Sequence, residues 1–292
     1  MAEGFDGDWL DLREPFDAAA RDGGLAGRLS ATLPARPRLL DLGAGTGALT
    51  RWLGHYIGRP QAWTLVDADA ALIERAFATI AERAEAVGWP VTWPGRKTLL
   101  VHSPRGAWRV EGLIADLAAA PANLPLGGVD AVVCTALCDL VSRDWVERMA
   151  AAVSARGLPF YAALNVTGRE RFAPPRPGDA LVARGFARDQ RRDKGFGGAA
   201  LGAAAPAAIG AAFARHGYEV LRAASDWVVP RGATEMAVAL SDGHAEAAMR
   251  QERRAAPRIA RWMLARAGDA RAGRLSVRVG HADLLCLPPG KE

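Results

Sequence analysis

A glycine loop flanked by carboxylates is the part of this chain whose residue types and spacing could do chemistry. In Leu39-Leu40-Asp41-Leu42-Gly43-Ala44-Gly45-Thr46-Gly47 an apolar run meets an acid and then three glycines at alternate positions. Glycines there let the backbone turn sharply and let a ligand lie against it with no Cβ in the way. The carboxylate at the strand end offers an acceptor, directly or through water, to a cationic ligand group. Gly43, Gly45 and Ala48 also satisfy the dinucleotide pattern G-x-G-x-x-[G/A]. Asp41 weighs against that reading, because it would stand close to the negative charge of a pyrophosphate.

A second carboxylate, Asp67, ends the apolar segment Ala62 to Val66 and lies 20 residues beyond Gly47. That is the reach of one helix and one strand, so both strand ends open onto one crevice. A carboxylate there suits the two hydroxyls of a ribose, with Ala68 beside it; Asp69 is placed to cap the next helix. Further on stand Asp116 with Leu117, and Thr135 to Asp139 after the apolar run Ala131 to Cys134.

With Gly47 included, the loop reads D-x-G-x-G-x-G and resembles motif I of class I S-adenosylmethionine-dependent methyltransferases. The resemblance implies that Asp41, Gly43, Ala44, Gly45 and Gly47 hold the methionine end of S-adenosylmethionine. It implies that Asp67 takes the ribose and that Asp116 meets the adenine amino group while Leu117 packs on the ring. Thr135 to Asp139 should lie beside the methyl donor, with Asp139 open to three roles: orienting or deprotonating an acceptor, capping a helix, or holding the donor's amino group. No N-P-P-Y/F sequence follows Thr135, which lowers the readings that such a sequence supports, action on nucleobase amines or on glutamine.

The elements that must position these residues alternate. Strands are expected at 38–42, 62–67, 130–140 and 158–166, with helices at 48–57, 70–87, 142–153 and 207–216 between and after them. This order implies an α/β fold, a doubly wound Rossmann-like parallel sheet; the resemblance implies seven strands, helices on both faces and a late antiparallel strand, read here at 274–287. Strands at 97–103 and 108–114, and another at 218–229, are less sharply marked. Residues 1–36 read as an N-terminal helical cover over a methyltransferase domain spanning 37–292. In the cover, Pro15 suits a helix first turn and Gly23-Gly24 suits a break. Arg13 and Asp17, four apart, share a face: either Arg13 meets the donor's carboxylate or the two form a surface ion pair. Residues 167–206, rich in proline and glycine, read as a loop-rich lid kept apart from the sheet, with Gln190, Arg191 and Lys194 as substrate contacts. Residues 234–270 read as a helical insertion. His281 and Asp283 share a strand face, either as an acid–base pair or as solvent-facing residues.

Of 292 residues, 50% are hydrophobic, enough for a sizeable core, and no apolar run approaches the ~18 residues of a membrane span. The acidic Met1 to Asp6 lacks the order of a signal peptide. Cys134, Cys138 and Cys286 have no metal-ligand spacing and read as core residues in a reducing cytoplasm; no metal is implied. The net charge of +5 is mostly arginine among interspersed acids, without the aromatic–basic alternation of a nucleic-acid binder. These observations imply a small-molecule methyltransferase. An RNA- or protein-directed enzyme and a non-catalytic S-adenosylmethionine-binding protein are the rivals, and oligomeric state is open.

Overall fold

In the computed structural model, residues 6–95 and 97–290 are described. The acidic reading of Met1 to Phe5 lies outside them. A strand covered on both faces is built mostly from apolar side chains, and β1 (Arg38–Leu42) supplies Leu39, Leu40 and Leu42 around a buried Asp41. Leu39 packs on one side with Trp63 and Val133, and Leu40 and Leu42 pack on the other with Val132 and Trp145. Polar N-caps then start the helices. Asp22 accepts from Leu25 N at 2.7 Å, opening α2 (Gly23–Thr32) after α1 (Gly7–Ala20). Pro15 sits inside α1 rather than in its first turn, and the helical region does break in two, at Arg21 and Asp22 just ahead of Gly23.

After β1 come α3 (Ala48–Ile57), β2 (Gln61–Asp67) and α4 (Ala70–Ala86), which Asp69 caps. Next are β3 (Val91–Gly95), β4 (Thr98–Ser103), β5 (Gly106–Ile114) and β6 (Ala131–Thr135). Then α5 (Arg143–Ser154), β7 (Phe160–Ala173), α6 (Asp179–Gln190) and α7 (Ala205–Ala214) follow. The described chain closes with β8 (Glu219–Ala224), β9 (Trp227–Val229), α8 (Thr234–Gln251), α9 (Ala256–Arg271) and β10 (Ser276–Leu287).

The sheet runs β3-β4-β5-β2-β1-β6-β7-β10-β8, with β9 pairing β10. Its seven central strands, β5 to β8 in that order, match the expected number, with β10 antiparallel to both neighbours. Three strands extend this core: the β3–β4 pair beyond β5, and β9.

The expected loop-rich lid at 167–206 is largely regular structure. Residues 167–173 are the outer half of β7 and pair with Ser276 to Val279 of β10; α6 and α7 occupy much of the rest. Gly168 at φ +71° and Gly280 make this extension possible where the ladder bulges: a Cβ on Gly280 would lie 2.4 Å from Thr167 Oγ1. Residues 174–178 and 191–201 lack a helix or strand. Here α6, α8 and α9 pack as a separate layer around Val182, Ala245, Ala248, Ile259 and Trp262. No helix among the described residues is long and apolar enough to cross a membrane.

Candidate functional site

Parallel strands present their carboxyl ends at one edge, and there β1, β2, β5 and β6 surround a cavity of about 560 Å³. The loop after β1 is one wall. Gly43 and Gly45 hold φ of +65° and +52°, a region that side-chain-bearing residues rarely enter. A Cβ on Gly45 would stand 3.0 Å from Leu10 Cδ1 of α1, which lines the same cavity. Gly47 does not line it; at φ +77° it caps α3 and packs on Ala76 and Ile80 of α4.

Asp67 reaches the cavity from the end of β2 with Ala68 beside it. Its Oδ2 accepts from Gly45 N at 2.9 Å and its Oδ1 from Asp69 N at 3.1 Å, so it also fixes the glycine loop. Burial raises its pKa against those backbone donors. Asp116 and Leu117 line the opposite side; Asp116 Oδ1 accepts from Ala118 N at 2.9 Å. Thr135 and Ala136 contribute the end of β6, where Ala136 is held at φ +50°, a strained conformation for a residue with a Cβ.

Asp41 is placed differently from expectation. It lies fully buried outside the cavity wall, its Oδ2 accepting from Thr50 Oγ1 at 2.9 Å and its Oδ1 lacking a protein partner. Burial pushes its pKa up to about 7 against the pull of Thr50 and Arg21. Its visible contact therefore anchors α3 to β1.

Arg13 and Asp17 both line the cavity and are buried, which removes the surface-pair reading. Arg13 Nε donates to Asp17 Oδ2 at 3.1 Å, Trp227 Nε1 donates to Asp17 Oδ1 at 3.0 Å, and the Arg13 guanidinium lies over the Trp227 ring. Asp139 is buried just outside the wall, with Oδ1 unpartnered. Burial lifts its pKa to about 6, while Arg13 and Lys194 pull it down. Lys194 and Phe196 line the cavity; Gln190 lies beside Gly202 and Arg191 is exposed, and neither lines it. Phe196 is fixed by an edge contact with Trp145 and by Ser142 Oγ donating to its carbonyl at 2.9 Å.

Arg21 escaped sequence reading. Its Nη2 donates to Thr135 Oγ1 at 3.3 Å and pairs with Asp17 at 3.5 Å. The signal, a basic residue four beyond Asp17, is blurred by the end of α1. His281 and Asp283 are neither solvent-facing nor a pair. Asp283 accepts from Asp22 N, Leu164 N and Tyr161 Oη, a fully buried knot that joins α2 to the sheet. His281 packs on Trp227, and a bulge separates the two strand positions. Cys134 and Cys138 are free buried thiols with sulfurs 3.6 Å apart.

No protein-family model matches the chain. A crystal structure of a cyclopropane-fatty-acyl-phospholipid synthase-like protein from Lactobacillus casei aligns at TM-score 0.51 and 11% identity, covering 98% of this chain and 95% of that one. The fold is that of the class I methyltransferases. The cyclopropane synthase MmaA2 from Mycobacterium tuberculosis aligns at TM-score 0.43 and 16% identity, over 90% of this chain and 83% of that one. The biotin biosynthesis bifunctional protein BioCD of Bordetella avium is 46% identical over 57 residues, 19% of this chain. That match spans only 12% of the relative's length.

Proposed function

We propose that the chain is an S-adenosylmethionine-dependent methyltransferase acting on a small molecule. One observation carries the reading: the glycine loop, Asp67 and Asp116 converge from three strand ends on a single cavity. The residues present fit the cofactor, since Gly43 and Gly45 leave open a cradle in which Cβ atoms would crowd Leu137 and Leu10. Asp67 would accept from the ribose hydroxyls, Asp116 and Leu117 would hold the adenine, and Arg13 would meet the carboxylate of the methionine end. S-adenosylmethionine supplies a sulfonium methyl, an electrophile that needs an aligned acceptor more than an activated one.

On the acceptor side, Lys194 and Phe196 line the cavity together with Leu10, Arg13 and Asp17 of α1. Asp139 is the proton acceptor where the reaction releases a proton; burial brings its basicity near neutrality. A reducing cytoplasm suits the three free, buried thiols. Calorimetric titration with S-adenosylmethionine and with its demethylated product tests the assignment. Micromolar binding of both is expected, and preferential binding of a nicotinamide dinucleotide would overturn it.

A further inference from the structure

Far from the donor cavity, the layer made by α6, α8 and α9 encloses a second cavity of about 290 Å³ against the outer half of β7. Glu170 of β7 lies seven residues beyond Ala163, the partner of Thr135 at the donor site. At ~3.3 Å per strand residue the two are roughly 20 Å apart along the strand. The walls are mostly apolar: Phe172, Pro175, Val182 and Trp262.

Two polar atoms in it, His244 Nε2 and Glu170 Oε2, make no hydrogen bond among the described residues. His244 is buried, and its Nδ1 donates to Leu240 O at 2.7 Å, because a carbonyl can only accept. The imidazole is then neutral, with Nε2 an acceptor, and Nε2 is unsatisfied. Burial holds this histidine down at about 4, so it stays neutral at physiological pH. The Glu170 carboxylate is also largely buried; its Oε2 stands 4.0 Å from His244 Nε2, and only burial acts on its pKa, raising it to about 7. While Glu170 is ionised, two acceptors face each other across 4.0 Å with no hydrogen bond between them, and the shielded His244 Nε2 stays unsatisfied.

Of the other charges nearby, Asp179 and Arg266 are already engaged. Asp179 of α6 accepts from Trp262 Nε1 and Arg266 Nη2, both at 2.6 Å, and Arg266 of α9 also approaches Asp269 at 3.9 Å. The exposed Arg171 also borders the cavity. Phe186 stacks on the His244 ring at 3.9 Å, and Phe172 meets it edge-on, so the imidazole is fixed.

We propose that this cavity is a second binding site, for a small apolar amine whose ammonium group donates to both Glu170 and His244 while its body lies against Phe172 and Trp262. The Glu170 carboxylate and the acceptor Nε2 of His244 favour such a cation over a neutral or anionic molecule of the same shape, while the Phe172 and Trp262 rings, over which Arg266 already lies, pack against its apolar body. The proposal is independent of the donor-site assignment.

Phenethylamine is a suitable probe, with 2-phenylethanol as its uncharged counterpart, each titrated calorimetrically into the full chain. Phenethylamine should bind at least tenfold more tightly than the alcohol. Glu170→Gln, which keeps the side-chain shape, should remove that preference, while a melting temperature of the free protein no lower than that of the native chain shows the fold intact. His244→Gln should weaken the amine in the same direction. Saturating S-adenosylmethionine should leave the amine affinity unaltered. Equal binding of amine and alcohol, no effect of Glu170→Gln, or displacement of the amine by S-adenosylmethionine would each overturn the second site.

Discussion

Asp67 has two tasks, and they pull its chemistry in the same direction. Its two oxygens already accept from Gly45 and Asp69, bonds that oppose the upward pull of burial on its pKa at the cavity wall. Asp67→Ala should therefore weaken S-adenosylmethionine by ~1–3 kcal/mol, through lost hydrogen bonds to a charged acceptor and a loosened Gly45. Calorimetry measures this directly, and an unchanged affinity would take Asp67 out of the site. Asp139 is a different case, because it sits outside the wall within the fields of Arg13 and Lys194. With its pKa near 6, turnover should climb as pH rises through about 6, where the carboxyl loses its proton. Asp139→Asn should lower kcat, leave donor affinity unchanged and abolish that inflection; an inflection that survives the substitution belongs to another group.

At the scale of elements, α1 is what turns a strand-end crevice into an enclosed cavity. Glu14 binds it down: Arg51 Nε and Nη2 donate to the Glu14 carboxylate at 3.1 and 2.7 Å, and Arg83 adds a third bond. Arg51 also donates to Thr46 O, so the clasp reaches the glycine loop itself. Glu14→Ala strands a mostly buried guanidinium and should cost ~3 kcal/mol of stability, read from urea denaturation. Hydrogen exchange should quicken across 7–20 in the same variant; unchanged exchange there would mean that α1 is held by its apolar contacts alone. None of this clasp is legible in sequence, since Glu14, Arg51 and Arg83 meet only after folding. The parallel core was legible, because the apolar run of β6 and the leucines of β1 mark strands covered on both faces. Strand β3 was not: Pro94 and an exposed face mark an edge strand whose pairing its own residues barely announce. The outer half of β7 was hidden by Gly168, Arg169, Glu170 and Arg171, residues that read as loop until β10 pairs with them. In the same way the glycine loop and Asp67 were readable from local order, and Phe196 from its place between glycines, whereas Arg21 reaches the site through the fold.

Taken as a whole, the molecule buries ionisable groups whose proton affinities shift in opposite directions, and the balance sets how stability follows pH. Burial raises Asp41 and Glu170 to about 7 and Asp139 to about 6, and it raises Asp67 and Asp242 as well. Each favours the folded state while protonated; that contribution is full below the unfolded value near 4 and is lost as pH rises through the folded value. His244 and His281 are lowered to about 4, and His55 is lowered too, so their contribution is full above about 6.5 and lost as pH falls. The lowered Asp189, Asp226 and Asp269 act only below about 4. Between about 4 and 7 the raised carboxyls outnumber the lowered imidazoles, and near 7 Asp41 and Glu170 dominate. The urea midpoint should therefore fall on going from pH 5 to pH 8. Asp41→Asn isolates the largest buried contributor under the glycine loop, because an amide still accepts from Thr50 but cannot ionise. Its midpoint should fall less over the same interval, so that the variant gains on the native chain as pH rises. Parallel curves for the two proteins would show that Asp41 keeps the same charge in the folded and unfolded states throughout.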